Sequence, residues 1–397
     1  MILMKQNKVA TIYARGVNAP FTEGYVVLAR SIARAIELGG WRAQILNFKY
    51  PLQRNLPYTV SSWKPCYEVR IPGIPRESIF HGPRLAPPSI LAAALESALI
   101  PILLRQELQA RASVVHLINC FRLPRALLRL LRRTPVLAHI YQSQSSSRLH
   151  FFLPFDALVA SSSRVAKNLR INSANRYPVF TLPPAVDPIF FQPINSIRPR
   201  QKVMLYLGNL SSNRFPNELL DAFREMLQHD PDIVFRIIAP TNPRSVARVG
   251  EIVEVCKSLG IENRVNVILR DLDDSDKMAE YSSARLFVFA PIVETAESIE
   301  PPLTVLEALA CGLPVLATNA YSVAEAVISG QNGFIVEMGD HSSLVERAIE
   351  MLEASPIRWQ RWSAEARKTA LENFSLHSAS HRLAEIHYEI LENTGVG

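Results

Sequence analysis

Short apolar segments alternate with segments of helical periodicity along the chain, and this alternation occurs twice. The first series begins at residues 9–14 and the second at residues 202–207, with Pro188, Pro193 and Pro199 between them. An apolar strand, a helix and a second apolar strand indicate a parallel sheet that helices cover. The sequence therefore predicts an α/β protein with two doubly wound, Rossmann-like domains and a cleft between them.

The 397 residues are long enough for both domains, and we place their boundary after Asp187. Residues 1–187 form the predicted N-terminal domain and residues 188–374 the C-terminal domain. The first domain has predicted strands at residues 9–14, 42–48, 113–118, 136–141, 157–160 and 179–182, and helices at 26–38 and 163–169. The second has predicted strands at 202–207, 233–239, 264–269, 286–290, 315–318 and 333–336, and helices at 218–228, 246–259, 274–282, 303–311 and 323–329.

Composition is that of an ordinary folded protein. Apolar residues make up 48% and charged residues 20%, which excludes global disorder. The 4 cysteines are far apart and form no CxxC pair or Cys/His cluster, so we expect neither a disulfide framework nor a structural zinc. The N-terminus shows no cleavable signal series, which favours a cytoplasmic location.

Charge is distributed unevenly. Residues 1–187 carry 24 Lys and Arg against 8 Asp and Glu, whereas residues 188–397 carry 19 against 28. A basic half indicates an anionic partner such as nucleic acid, phospholipid or a phosphorylated lipid. Residues 122–133 place five arginines at helical intervals among leucines, which is typical of an amphipathic helix on an anionic membrane surface. A sheet-covering helix with a solvated arginine face is the alternative. Aromatic residues for base stacking are scarce there, so no nucleic acid is expected.

One segment is long enough for a membrane span. Residues 85–104 contain a single charge, Glu96, but Pro87, Pro88 and Pro101 interrupt them. A buried or interface-facing helix is therefore expected there rather than a span. We expect a protein that associates peripherally with the cytoplasmic face of a membrane.

A turn after the first strand of the second domain carries groups that suit a phosphate. Gly208 allows the backbone to approach a ligand, and Ser211 and Ser212 offer hydroxyls. Arg214 can donate two hydrogen bonds to phosphate oxygens near a helix amino end. An ordinary turn with a solvated arginine is the alternative.

A second loop and helix contain several carboxylates. Residues 294–307 read Glu-Thr-Ala-Glu-Ser-Ile-Glu-Pro-Pro-Leu-Thr-Val-Leu-Glu, and the later Gly-Leu-Pro-Val constrains the return to the next strand. The helix is expected to begin near Pro301 and Pro302, with free backbone N–H groups for an anion. Within it, Glu307 can accept hydrogen bonds from a diol such as ribose, and Glu300 at its entrance can hold sugar hydroxyls. A solvated acidic loop is the alternative.

Residues 300–317 resemble the donor-binding motif of the family-4 retaining glycosyltransferases, in which a Glu and seven further residues precede Glu-Ala-Met-Ala-Cys-Gly-x-Pro-Val. Other similar segments are residues 155–169, 181–193, 264–290 and 374–391. The resemblance implies the GT-B architecture, with two facing Rossmann-like domains that hold the acceptor in the first and the donor nucleotide in the second. It also implies a terminal helix at about 375–397 that crosses back to the first domain.

The resemblance further implies transfer of a sugar from a UDP- or GDP-sugar to a lipid-linked or glycan acceptor, with retention of configuration. No tightly bound cofactor and no protein nucleophile are implied. Arg214 and Glu300 are the catalytic candidates on the donor side. The expected donor-binding residues are Gly208, Asn209, Arg214, Glu300, Pro302, Leu303, Thr304 and Glu307, with Gly16 and Gly24 on the facing wall of the cleft. No metal is expected, because the aspartates at residues 271–276 are better placed to start a helix than to form a paired ligand set.

The sequence departs from the family pattern in the donor motifs. Only six residues separate Glu300 from Glu307, so either Glu300 is the first motif glutamate or Glu297 takes part. Asn209 stands where the family has arginine, and Arg214 where it has lysine. A non-catalytic subunit that supports a partner enzyme is therefore one alternative, and transfer to a soluble acceptor is another.

In the first domain, the candidates for acceptor-side catalysis are Asn119 and Tyr141. Both stand at the carboxyl ends of predicted strands, where open parallel sheets bind ligands. His116 and His139 lie within or at the ends of apolar strands, and we interpret them as core histidines with satisfied hydrogen bonds. The alternative is that one of them matches the acceptor-side histidine of the family, for which His116, Asn119, His139 and Tyr141 give no unambiguous match.

Overall fold

The computed structural model of the chain describes residues 8–14, 24–49, 66–70, 113–118, 134–143, 155–194, 202–295 and 298–394. The chain divides into two compact units. Met1–Leu182 and Ala379–Gly397 form the first unit, and Pro183–Ser378 forms the second. None of the described helices is both long and apolar enough to cross a membrane. The basic segment 122–133 and the apolar segment 85–104 lie outside the described residues.

The strands are numbered in chain order: β1 Val9–Ala14, β2 Arg42–Lys49, β3 Cys66–Arg70, β4 Val114–Ile118, β5 Val136–Ile140, β6 Ala157–Ala160, β7 Val179–Thr181, β8 Val203–Leu207, β9 Val234–Ala239, β10 Val265–Leu269, β11 Leu286–Phe289, β12 Val315–Thr318 and β13 Gly333–Val336. The helices are α1 Gly24–Leu38, α2 Ser163–Asn172, α3 Glu218–His229, α4 Pro243–Leu259, α5 Asp274–Ser283, α6 Leu303–Ala310, α7 His341–Glu353, α8 Pro356–Asn373 and α9 Leu376–Thr394.

The first unit contains a seven-stranded sheet in the order β3-β2-β1-β4-β5-β6-β7, and its neighbouring strands run parallel. Strands β4, β5 and β6 are buried along their whole length. Burial on both faces is expected for parallel strands that helices cover. The sequence does not predict strand β3, because it lies within a proline-rich stretch that hides the alternation.

The second unit contains a six-stranded parallel sheet in the order β10-β9-β8-β11-β12-β13. Strand β8 shows how both faces of this sheet are covered. Met204 and Tyr206 belong to one hydrophobic core, whereas Leu205 and Leu207 belong to another. Since successive side chains of a strand point to opposite faces, the two cores lie on the two sides of the sheet. The predicted α/β class is thereby confirmed.

Several helices begin where a short polar side chain accepts a hydrogen bond from the first turn. This geometry satisfies an N–H group that has no partner within the helix. The capping residues are Ser162, Asn242, Asp273, Asp340 and Ser355. The cap at Asp273 confirms that the acidic cluster at residues 271–276 starts a helix. Among the described residues, no group of His, Cys, Asp or Glu side chains is arranged to hold a metal ion.

The helix predicted at residues 323–329 is wrong in its length, because only the single 3-10 turn Val323–Glu325 forms. Asn332 explains the early end. Its side chain accepts a hydrogen bond from the Ile328 N–H at 2.7 Å and donates one to the Ala326 carbonyl at 3.0 Å. These bonds replace the backbone bonds that a longer helix needs.

Two glycines give a matched test of the packing in the second unit. A Cβ at Gly333 would lie 2.0 Å from the Val315 carbonyl oxygen, whereas a Cβ at Gly250 in α4 would meet nothing within 4 Å. We expect Gly333→Ala to lower the free energy of unfolding by about 1–3 kcal/mol or more, because β12 and β13 must separate. Gly250→Ala should raise it by about 0.5–1 kcal/mol. Thermal melting of both variants checks this, and an unchanged melting temperature for Gly333→Ala would contradict the strand packing.

Candidate active site

Two loops of the second unit leave the same edge of the sheet. One follows β8 and begins at Gly208, and the other follows β11 and leads to α6. Strands β8 and β11 are parallel neighbours, with Leu286 beside Met204. Because the carboxyl ends of parallel strands lie at one edge, the phosphate-type turn and the acidic loop predicted from the sequence are brought together.

The turn after β8 is held by the side chains of Tyr206 and Asn209. The Tyr206 hydroxyl donates to the Asn209 carbonyl at 2.6 Å, and the Asn209 side-chain oxygen accepts from the Ser211 N–H at 3.0 Å. Asn209 therefore shapes the turn, as Asn side chains commonly do. Arg214 is half-buried at the end of this turn. It supplies the guanidinium that the sequence predicts for this turn, whereas Asn209 supplies no charge.

Acidic side chains occupy one predicted source of positive potential, the amino end of helix α3. The sequence predicts a helix at residues 218–228 with its amino end near Phe215, and the Phe215 N–H itself donates to the Ser211 carbonyl at 2.9 Å. Helix α3 begins at Glu218, as predicted, and its first turn contains Glu218 and Asp221. These carboxylates already face the positive end of the helix dipole, so an anion gains little there.

The acidic loop is fastened to the segment that follows β12. The Tyr321 hydroxyl accepts a hydrogen bond from the Thr295 N–H at 2.6 Å, and Glu294 accepts one from the Tyr321 N–H. Glu300 is only 3% exposed and accepts a hydrogen bond from the Ser322 hydroxyl at 2.9 Å. The alternative prediction of a solvated acidic loop is therefore wrong for Glu300, because its side chain is buried. Glu297, the other candidate for the first motif glutamate, lies outside the described residues.

Helix α6 begins directly after Pro302, which has no side-chain cap. The Val305 N–H bonds to the Pro302 carbonyl at 3.1 Å, so the N–H groups of Leu303 and Thr304 precede the first intrahelical bond. Such N–H groups, together with the helix dipole, favour an anion. The start of α6 directly after Pro302 agrees with the helix start that the sequence predicts.

Glu307 lies in the middle of α6 and is 2% exposed. Both of its carboxylate oxygens meet donors from α5. Lys277 Nζ lies 3.3 Å from Oε1, and the Tyr281 hydroxyl donates to Oε2 at 2.9 Å. Lys277 also lies 3.9 Å from an oxygen of Asp274. A buried ion pair with a further hydrogen bond therefore joins the two helices.

Burial and the charge of the partner shift the pKa of Glu307 and the pKa of Lys277 in opposite directions. Burial raises the pKa of Glu307, and the nearby Lys277 ammonium opposes that rise. For Lys277, burial alone would lower the pKa, but the charges of Glu307 and Asp274 outweigh it and raise the pKa overall. Burial also raises the pKa of the Tyr281 hydroxyl well above its ordinary value, and the charge of Glu307 adds to this effect. Tyr281 therefore stays a hydrogen-bond donor at neutral pH.

The first-unit candidates are only partly described. Gly16 and Asn119 lie outside the described residues, and Gly24 is the first residue of α1. Tyr141 follows β5 directly and is 3% exposed. Its hydroxyl lies 3.4 Å from Nδ1 of His139.

Three buried histidines form a continuous string beside Tyr141. Nε2 of His139 lies 2.9 Å from Nδ1 of His116, and Nε2 of His116 lies 2.8 Å from Nε2 of His387 in α9. The ring of His387 is 4.4 Å from the ring of Trp41. The interpretation of His116 and His139 as satisfied core histidines is confirmed.

The segment that contains these loops is similar to a known family. Residues 189–369 match the family described as Glycosyl transferases group 1, and this segment contains both loops of the candidate site. Because of this similarity, residues 189–369 are called the group 1 domain. The chain is also 30% identical over 250 residues to a D-inositol 3-phosphate glycosyltransferase from Rhodococcus opacus (strain B4). That alignment covers 59% of this chain and 54% of the relative, so the chain spans about half the length of the curated relatives it matches.

Solved structures show the same fold around the group 1 domain. A sucrose-phosphate synthase from Thermosynechococcus elongatus superimposes with a TM-score of 0.74 at 14% identity, covering 97% of this chain and 100% of that one. The Anabaena protein HepE in complex with UDP and glucose gives a TM-score of 0.70 at 15% identity, covering 96% and 100%. The predicted GT-B fold class is confirmed by these neighbours.

Sequence reasoning missed the residues that hold the site residues in place. Lys277 and Tyr281 contact Glu307, Ser322 contacts Glu300, and His387 completes the histidine string. Only Lys277 and Tyr281 carry a sequence signal, because they are four residues apart and so share one face of a helix. Ser322 and His387 lie far along the chain from their partners, and no local pattern links them.

The histidine string makes the first unit sensitive to acid. Burial lowers the pKa of His387 to about 4 and that of His139 to about 3, and it lowers the pKa of His116 well below its ordinary value. The unfolded chain therefore binds more protons below about pH 6.5, and stability must fall as the pH falls from there. The slope is at most about 1.4 kcal/mol per pH unit for each histidine.

Calorimetric melting at pH 7.5 and pH 5.5 checks this expectation. Wild type should melt lower at pH 5.5, and His387→Leu should reduce the difference between the two melting temperatures. His381→Leu, on an exposed position of the same helix, should leave the difference unchanged. An equal difference in wild type and His387→Leu would contradict a titrating string.

Proposed function

We propose that the chain is a glycosyltransferase that moves a sugar from a nucleoside diphosphate sugar to a lipid-linked or glycan acceptor. The observation that carries this proposal is the pair of buried carboxylates in the group 1 domain. Glu300 lies just before, and Glu307 within, a helix whose first N–H groups have no intrahelical partner. Buried carboxylates beside an anion-favouring helix start suit a ligand with both hydroxyl and phosphate groups.

Each donor-side residue has a distinct role in the proposal. Transfer builds positive charge on the anomeric carbon and negative charge on the leaving diphosphate, so stabilising the diphosphate is the main electrostatic task. We assign this task to Arg214 and the N–H groups of Leu303 and Thr304. Glu300 accepts hydrogen bonds from sugar hydroxyls, and Glu307 accepts them from the ribose.

The proposed stereochemical outcome is retention, with the acceptor attacking from the face that the diphosphate leaves and without a protein nucleophile. The resemblance to family-4 enzymes supports this assignment. Asn119 and Tyr141 are the proposed acceptor-side residues. Gly208 and Asn209 place the turn, and Gly16, Gly24 and Pro302 are proposed to line the donor site.

A UDP-sugar is the first donor to test, because the Anabaena neighbour was solved with UDP and glucose. A thermal-shift panel of UDP- and GDP-sugars tests binding directly. A ligand at 100 times its dissociation constant stabilises the folded chain by about 2.7 kcal/mol. Glu307→Ala should abolish the shift, and the absence of any shift with wild type would contradict the proposal.

A non-catalytic subunit is the second candidate function, and Asn209 favours it. The side chain that would carry the second cation instead bonds the Ser211 N–H. Nucleotide-sugar binding without transfer to any acceptor, in the presence of a partner enzyme that it activates, would support this alternative.

Arg214 gives the sharpest kinetic test of the enzyme. Removing a charged hydrogen bond costs about 1.5–3 kcal/mol, so Arg214→Ala should lower kcat/KM by about one to two decades. Arg214→Lys should retain more activity than Arg214→Ala. Arg224→Ala, on an exposed position of α3, is the control and should leave kcat/KM unchanged. Equal kcat/KM for wild type and Arg214→Ala would remove Arg214 from the mechanism.

We further propose that the basic first half of the chain binds an anionic acceptor surface. Residues 1–187 carry 24 basic against 8 acidic residues. A membrane with anionic lipid on the cytoplasmic face is the leading acceptor environment. A soluble phosphorylated acceptor is the alternative, and the relative from Rhodococcus opacus is named for such an acceptor.

Liposome co-sedimentation distinguishes these two environments. We expect the chain to sediment with vesicles of phosphatidylglycerol at low salt and to be released at about 1 M salt, where the Debye length is about 3 Å. Neutral phosphatidylcholine vesicles are the control and should not bind. Failure to bind anionic vesicles would favour the soluble acceptor.

A further inference from the structure

Glu307 has two hydrogen-bond donors from one face of α5. Lys277 Nζ lies 3.3 Å from Oε1, and the Tyr281 hydroxyl donates to Oε2 at 2.9 Å. The two donors are four residues apart in α5, which places them on the same side of that helix. Helix α5 therefore approaches Glu307 with one neutral and one charged donor.

The remaining acceptor capacity of Glu307 matches a vicinal diol. An ionised carboxylate has about four lone-pair sites. Lys277 and Tyr281 use one on each oxygen, so about one remains on each oxygen. Ribose offers two adjacent hydroxyl donors, which is the number that these sites can accept.

The charge of Glu307 depends on its neighbours. A carboxylate at 2% exposure is costly without a cation, and Lys277 is the cation in contact with it. Among the described residues, other titratable groups near Glu307 include the acids Asp274, Tyr281 and Cys311. The Arg367 guanidinium of α8 donates to the Ala310 carbonyl at the end of α6 and acts on Cys311. A protonated Glu307 would donate one hydrogen and lose acceptor sites, so it would bind a diol less well.

We infer that Lys277 is a positioning residue of the donor site, which holds Glu307 in place as the charged acceptor of the ribose diol. This inference rests on the proposed function, because it takes Glu307 as the ribose-binding residue. Lys277 acts through Glu307 and needs no contact with the nucleotide. Its own ammonium is fixed by Glu307, by Asp274 at 3.9 Å and by the Phe191 ring, whose centroid lies 5.9 Å away.

The competing role for Lys277 is that of a purely structural ion-pair partner of Glu307. The two roles predict different preferences for a nucleotide with an intact ribose over one without the ribose hydroxyls. Calorimetry measures the affinity for UDP or GDP and for the matching 2′,3′-dideoxynucleotide. Wild type should bind the ribonucleotide at least about tenfold more tightly, since hydrogen bonds to a charged group are strong. Lys277→Met should bind both nucleotides with affinities within about twofold of each other, because Glu307 is then mispositioned or protonated.

Matched variants complete the test. Lys257→Met removes a lysine that is 57% exposed and pairs with Glu254, and it should keep the wild-type preference. Lys277→Arg should also keep most of it. Adding Lys277→Met to Glu307→Gln should change the preference no further. Lys277→Gln, which retains a donor without the charge, provides the same comparison should the methionine variant not fold.

The pH dependence of binding gives a second readout. Without Lys277, only the hydrogen bond from Tyr281 opposes the rise that burial and the charge of Asp274 cause in the pKa of Glu307. The affinity of Lys277→Met for the ribonucleotide should therefore fall at a higher pH than that of wild type. A structural role would lower the melting temperature and leave this pH unchanged.

The outcomes separate the inference from the proposed function. A wild-type chain that binds neither UDP nor GDP overturns the proposed function, and the inference with it. A wild type that prefers the ribonucleotide, together with Lys277→Met and Lys277→Gln variants that keep the same preference, overturns only the inference. Loss of the preference in Lys277→Met, with the preference kept in Lys257→Met, supports both.

Discussion

The central strands of the second unit are buried on both faces, and this burial decides where polar chemistry can be placed. Strands β8, β11 and β12 have no exposed position. A polar side chain on such a strand would need a buried partner, so functional groups gather where the strands end. The turn at Gly208 and the loop that leads to Glu300 both occupy this edge. The parallel ladder therefore fixes the candidate site before any individual side chain is considered.

Burial also governs the two glutamates that carry the proposed function. A buried carboxylate needs partners, and each glutamate has partners that lie elsewhere in the sequence. Ser322 contacts Glu300, whereas Lys277 and Tyr281 contact Glu307. These contacts hold the acids in defined positions, which a ligand with several hydroxyl groups requires. Preorganised acceptors of this kind lose little entropy when a substrate binds.

The first unit uses buried polar groups in a different way. His116, His139 and His387 bond to one another in a core with no acidic partner for them among the described contacts. Each ring nitrogen can donate or accept, so neutral histidines can satisfy one another without a charge. The string joins strands β4 and β5 to helix α9. The last helix is thus held to the first unit by bonds that depend on the histidines staying neutral.

The sequence by itself determined the α/β class, the order of nearly all described elements, and the two loops that carry the candidate donor site. Periodicity and capping residues are local signals, so Val9–Ala14 and the cap at Asp273 can be recognised without a structure. Only the tertiary structure decided which side chains meet. Lys277 in α5 contacts Glu307 in α6, and His387 contacts His116, which lies 271 positions earlier in the sequence. Such pairs leave no periodic trace, because packing between distant elements, rather than local backbone preference, brings them together.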